Sequence, residues 1–115
     1  TKAAEQGYVT AQTNLGVMFA NGQGVPQDNK QAIYWYTKAA ERGHASAQHN
    51  LGWMFANGQG TPKNNVLAYV WWNIAAAQGH KFAEKNRGII EGRMTISQIA
   101  EAQKLSGEYY AKYVK

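Results

Sequence analysis

The sequence predicts an all-α fold: a superhelix (solenoid) of antiparallel helix pairs with a C-terminal capping helix. Three observations predict it: an internal period of 36 residues, apolar residues at helical spacing in both halves of each period, and glycine–proline turns between the halves. Residues 3–26, AAEQGYVTAQTNLGVMFANGQGVP, return at 39–62 as AAERGHASAQHNLGWMFANGQGTP, with 17 of 24 positions identical. A third copy starts at Ala75-Ala76 and keeps Gly79, His80, Ala83, Asn86 and Gly88 before it decays. A fixed period in this range is the mark of stacked helical or other solenoid units.

The chain divides into 1–7, read as the tail of a preceding helix, repeats at 8–42 and 43–78, a degenerate third repeat at 79–93, and a capping segment at 94–115. In the first helix of a repeat, Ala11, Leu15, Met18 and Phe19 form one apolar stripe, duplicated as Ala47, Leu51, Met54 and Phe55. The loop Asn21-Gly22-Gln23-Gly24-Val25-Pro26, repeated from Asn57 to Pro62, supplies the left-handed turn that ends this helix. Asp28 or Asn64 then caps the second helix. That helix carries Ala32, Trp35, Tyr36, Ala39 and Ala40, duplicated as Ala68, Trp71, Trp72, Ala75 and Ala76, and this stripe is expected in the core. Gly7, Gly43 and Gly79 are expected to close the second helices. Gly16 and Gly52 lie inside first helices, where glycine costs about 1 kcal/mol against alanine, so an aromatic from the partner helix is expected against their backbone.

In the third copy Arg87 replaces Leu15 and Leu51, and Glu91 replaces Phe19 and Phe55. The regular core therefore ends there. Thr95-Ile96-Ser97-Gln98 reads as a capping box, opening an amphipathic helix over 96–114 that is expected to cover the open end of the stack. Because the chain starts on the tail of a helix, it is expected to be the C-terminal part of a longer repeat protein. An uncovered first repeat offers an apolar face for self-association.

Composition removes several function classes. Cysteine is absent, so disulfides, thiolate metal sites and cysteine nucleophiles are excluded, and the compartment is left open. Apolar runs are too short for a transmembrane helix. The net charge of +5 is spread out, with no run of basic residues. Gly22-Gln23-Gly24 lacks the strand and third glycine of a dinucleotide loop. His44 and His80 are equivalent positions of successive repeats, expected about 10 Å apart, and His49 stands alone on its helix, so no metal site is expected. The carboxylates and serines form no catalytic constellation, and neither an enzyme activity nor a cofactor is expected.

The spacing Ala-Gln-x-x-Leu-Gly-x-x-Phe-x-x-Gly-x-Gly-x-Pro, followed by Ala-x-x-Trp-Tyr-x-x-Ala-Ala-x-x-Gly, resembles the Sel-one-like repeat family of tetratricopeptide-like hairpins. The resemblance covers residues 3–74 and continues to about Gly88. It implies a protein-binding adaptor in bacterial or eukaryotic signalling, envelope or host-interaction assemblies, with one face of the first helices lining a concave groove. By that resemblance the groove carries Thr10, Thr13, Asn14, Val17 and Asn21, then Ser46, His49, Asn50, Trp53 and Asn57, then Phe82, Lys85, Asn86 and Ile89. The expected partner-binding set is Thr13, Asn14, Val17, Asn21, His49, Asn50, Trp53, Asn57, Lys85, Asn86 and Ile89. Trp53 lies off the apolar stripe and is the expected anchor for a peptide or partner protein. Asn14, Asn50 and Asn86 recur in all three copies, a pattern that suits either a bond to the neighbouring helix or capture of a peptide backbone. A rival reading gives Lys81, Lys85, Arg87 and Arg93 an anionic partner such as nucleic acid.

Overall fold

The computed structural model describes residues 2–114, with side chains from Gln6 onward; Thr1, the Glu5 side chain and Lys115 lie outside it. Among the described residues six helices and no strand form: α1 (Lys2–Asn21), α2 (Asn29–Ala40), α3 (Ala45–Asn57), α4 (Asn65–Ala77), α5 (Lys81–Glu91) and α6 (Ile96–Tyr113). The molecule measures 41 × 33 × 21 Å. Its shortest dimension is two helix diameters of about 10 Å each, as a two-layer solenoid requires.

Local chemistry sets the helix ends. The Asp28 carboxylate accepts from the backbone N–H of Lys30 and Gln31 at 3.1 and 3.2 Å, and the Asn64 side-chain oxygen accepts from Leu67 at 3.0 Å. Gly22 and Gly58 take φ of 66° and 64°, the left-handed turn expected between paired helices. Gly43 and Gly79 likewise turn the chain, at φ of 86° and 90°. Gly7 departs from its equivalents. It stays helical inside α1, so the expected break between a helix tail and the first repeat is absent. The run Ala3-Ala4-Glu5-Gln6 has high helix propensity, and α1 continues through Gly7. Gln48 donates to Ala40 O at 3.1 Å and accepts from Gln78 at 2.8 Å; at the equivalent Gln12, where Arg42 stands in the place of Gln78, the buried Oε1 has no partner among the described residues.

The packing centres on α4, which contacts α3, α5 and α6 and buries Tyr69, Val70, Trp71, Trp72 and Ile74. The glycines inside first helices admit aromatics as expected. A Cβ on Gly16 would lie 2.5 Å from Tyr36 Cδ1, and one on Gly52 would lie 2.6 Å from Trp72 Nε1. That close approach lets the Trp72 indole N–H donate to His49 O at 3.0 Å.

The two ends of the stack differ from this centre. Leu51 and Met54 are 1% and 3% exposed, whereas their counterparts Leu15 and Met18 are only half-buried, and Ala11 is exposed. Trp35, expected in the core, is also only half-buried, edge-on to the exposed Tyr34 at 5.1 Å. Among the described residues no repeat stacks over this face. At the other end Thr95 and Gln98 make the reciprocal capping box, at 2.9 and 3.0 Å. From there α6 runs alongside α4: Gln98 lies by Asn65 and Val66, and Tyr110 and Ala111 lie by Ile74 and Ala77. Tyr109 and Tyr113 cover Trp71, with ring centroids 5.4 and 5.8 Å away. The cap thus seals α4 rather than pairing fully with α5. On α5 the stripe keeps Ala83 and Ile90, both buried, but carries Arg87 and Glu91 at its other two positions, and Arg87 turns to α4, donating to Asn73 Oδ1 at 2.9 Å.

Candidate functional site

A ledge of exposed groups runs across α1, α3 and α5, with Trp53 at its middle. The indole is 49% exposed because position 53 lies off the Leu51–Met54 stripe that the core consumes. On one side it borders a hollow of 420 Å³ between α1 and α3, whose walls include Val17, Asn21, Asn50 and Gln59. On the other it borders a hollow of 200 Å³ between α3 and α5, with Asn57, Asn86, Ile89 and Arg93. Ile89 is 50% exposed, and Phe82, nearer the start of α5, is 71% exposed.

Most of the expected groove residues meet here, with exceptions. Thr13 is a correction: it is buried, and its hydroxyl donates to Val9 O at 3.2 Å, back-bonding within its own helix. Asn14 and Lys85 are exposed but line neither hollow. Asn57 faces the second hollow while its Nδ2 donates to Trp53 O at 2.9 Å, fixing the loop edge.

His49 holds the two walls together. Its Nδ1 lies 3.3 Å from Asn50 Oδ1 and its Nε2 lies 3.1 Å from Asn86 Nδ2. A neutral ring protonated at Nδ1 satisfies both contacts, donating to Asn50 and accepting from Asn86. For Asn86 this is the bond to a neighbouring helix; among the described residues Asn14 makes no such bond. His49 is also not alone. His80 stacks on it, with centroids 4.6 Å apart and planes 22° apart, and Phe82 flanks both rings. The His80 Nδ1 accepts from Ala83 N–H at 3.1 Å, capping α5. Burial pushes the pKa of His49 below 6.5, and the neighbouring His80 pushes it down further. Burial alone lowers His80. Sequence spacing paired His80 with His44, its equivalent one repeat away, and missed the cross-repeat contact with His49. Arg93 was also placed elsewhere, with the basic set of the third repeat. That set is divided, since Arg87 is tied to Asn73 and Arg93 faces the Trp53 hollow. Among the described residues no group of three metal-ligating side chains comes together, and no helix is long and apolar enough to cross a membrane.

The chain resembles proteins with the same repeat. The Sel1 repeat model matches residues 9–44 and 45–80. A crystal structure of c5321, described as a protective antigen present in uropathogenic Escherichia coli strains and displaying an SLR fold, superimposes with a TM-score of 0.91 at 39% identity. That alignment covers 97% of this chain and 24% of c5321. A Sel1 repeat protein from Oxalobacter formigenes superimposes with a TM-score of 0.68 at 41% identity, over 76% of this chain and 36% of its own. The chain therefore spans well under half the length of either structure. No curated protein matches it. Sel1 repeat proteins are generally protein–protein interaction scaffolds, and the fold is typically non-catalytic. With two consecutive repeat matches filling more than half of its length, the chain belongs to the Sel1 repeat family.

Proposed function

We propose that the protein is a non-enzymatic scaffold that receives a peptide or partner-protein segment in the groove of α1, α3 and α5, with Trp53 as anchor. One observation carries the reading: an indole left 49% exposed between two hollows, with asparagines on both sides. Burying a large apolar side chain contributes about 1.5–3 kcal/mol, and tryptophan is among the commonest interface hot spots. Asn21, Asn50 and Asn57 border the hollows and offer donors and acceptors that a peptide backbone can use.

Peptides selected from a displayed random dodecapeptide library provide the test. Their affinity is measured by fluorescence anisotropy for the wild type and for Trp53→Ala. The expected result is an unchanged far-ultraviolet circular dichroism spectrum and binding weakened by about tenfold or more, the hot-spot scale of 1.4 kcal/mol and upward. Selected peptides that bind Trp53→Ala as tightly as wild type overturn the groove assignment.

A further inference from the structure

We infer that the segment received on the α3–α5 side of the groove is acidic and carries an apolar side chain. The apolar side chain enters the hollow beside Trp53 and Ile89, and its flanking carboxylates face Arg93 and Lys85. The inference rests on the groove reading above and adds the chemistry of the occupant.

Two independent features of the surface support it. The first is the clustering of apolar exposure. Of six large hydrophobic side chains left exposed, Trp53, Phe82 and Ile89 all belong to α3 and α5 on this side. Phe82, Lys85, Asn86, Ile89 and Arg93 recur at helical spacing, so apolar and basic groups share one face of α5 and its C-terminal extension. The hollow of 200 Å³ is smaller than the roughly 300 Å³ at which small-molecule pockets begin, a size suited to a side chain.

The second feature is charge. Arg93 and Lys85 are exposed, and among the described residues neither forms an ion pair. No described carboxylate lines either hollow. Asp28 caps α2 and Glu41 ends it, while Glu101 and Glu108 belong to α6, which packs on α4. Glu91 lies toward Tyr69 of α4, away from Trp53, and Glu84, exposed on α5, lies about half a helical turn round from the face that carries Phe82, Lys85 and Ile89. A groove with fixed positive charge and no compensating carboxylate attracts anionic segments and repels cationic ones. Apolar side chains between the charges favour a peptide over a bare polyanion, because a phosphate backbone gains nothing from Ile89.

The selected peptide library also tests this inference. Wild type is expected to enrich peptides in which aspartate or glutamate flanks an aliphatic or aromatic residue. The double variant Lys85→Glu/Arg93→Glu, both positions exposed, is expected to lose that acidic bias. If it fails to fold by circular dichroism, Lys85→Gln/Arg93→Gln replaces it. Acidic peptides are also expected to bind wild type about tenfold or more tightly than their glutamine versions at low salt. Enriched peptides without acidic bias that still depend on Trp53 overturn this inference and leave the groove reading standing. Failure of wild type to enrich any peptide overturns both. A single-stranded oligonucleotide that displaces the peptides and binds equally well to Trp53→Ala also overturns it, in favour of general anion binding.

Discussion

Alanine placed at equivalent glycines of successive repeats should move stability in opposite directions. Gly16, Gly52 and Gly88 are 36 residues apart, all helical, and at Gly88 an added Cβ meets nothing within 4 Å. Gly88→Ala therefore collects the helix-propensity gain of about 0.8–1 kcal/mol and little else. At Gly52 the same methyl would lie 2.6 Å from Trp72 Nε1 and 2.7 Å from Cδ1, on a ring 4% exposed and packed in the core. The indole must move. Overpacking costs about 1–3 kcal/mol, and losing the Trp72–His49 hydrogen bond leaves buried polar groups at about 1–3 kcal/mol more. After the propensity gain, Gly52→Ala is expected to be net destabilising by about 1–5 kcal/mol. Gly16→Ala falls on the same side, because its Cβ would strike the Tyr36 ring at 2.5 Å. Urea unfolding followed by circular dichroism reads the difference, with m-values compared to confirm that the folded states are similarly compact. A Gly52→Ala midpoint at or above that of Gly88→Ala would refute the proposed backbone–indole contact.

Other outcomes follow from the caps and the histidine pair. Thr95→Ala removes half of a reciprocal capping box at the start of α6 and should cost about 1 kcal/mol in urea unfolding. Burial lowers His44, His49 and His80 in the folded protein. The unfolded chain therefore binds protons the folded chain refuses. Stability should be full above the unfolded pKa of 6.5 and fall as the pH drops from there through the lowered folded values. A His49→Gln/His80→Asn variant should flatten the dependence of the urea midpoint on pH above about pH 5, before carboxylates contribute. An unaltered slope in that variant would show that the stacked pair does not couple to folding.

Helices, caps and turn glycines were legible in the sequence because each is decided within a few residues. Asp28, Asn64 and the Thr95–Gln98 box act on neighbouring N–H groups, and Gly22 and Gly58 satisfy a single backbone conformation. Trp53 was legible for a related reason: its position breaks a stripe that the repeat keeps. Sequence and structure part mainly where the deciding partner lies outside the repeat unit, Thr13 being decided within its own helix. Gly7 has the sequence of a turn, yet it stays helical within α1. Trp35 has the spacing of a core residue, yet among the described residues nothing stacks on its side. Thr13 follows the groove spacing, while its hydroxyl found a nearer acceptor in Val9. The His49–His80 stack joins non-equivalent positions of adjacent repeats, a contact that periodicity alone does not reveal.

The side-by-side course of α6 and α4 has a consequence for the groove. α5 packs chiefly on α4, touches α3 much less, and has no substantial contact with α6. Arg87 and Glu91 also narrow its apolar seam to Ala83 and Ile90. Amide hydrogen exchange should therefore be fastest in α5 among the helices from α2 to α5, through local opening that leaves α3 and α4 protected. One wall of the groove then behaves as a hinged jaw set against a fixed one, able to widen for a bulky guest without unfolding the body that carries it.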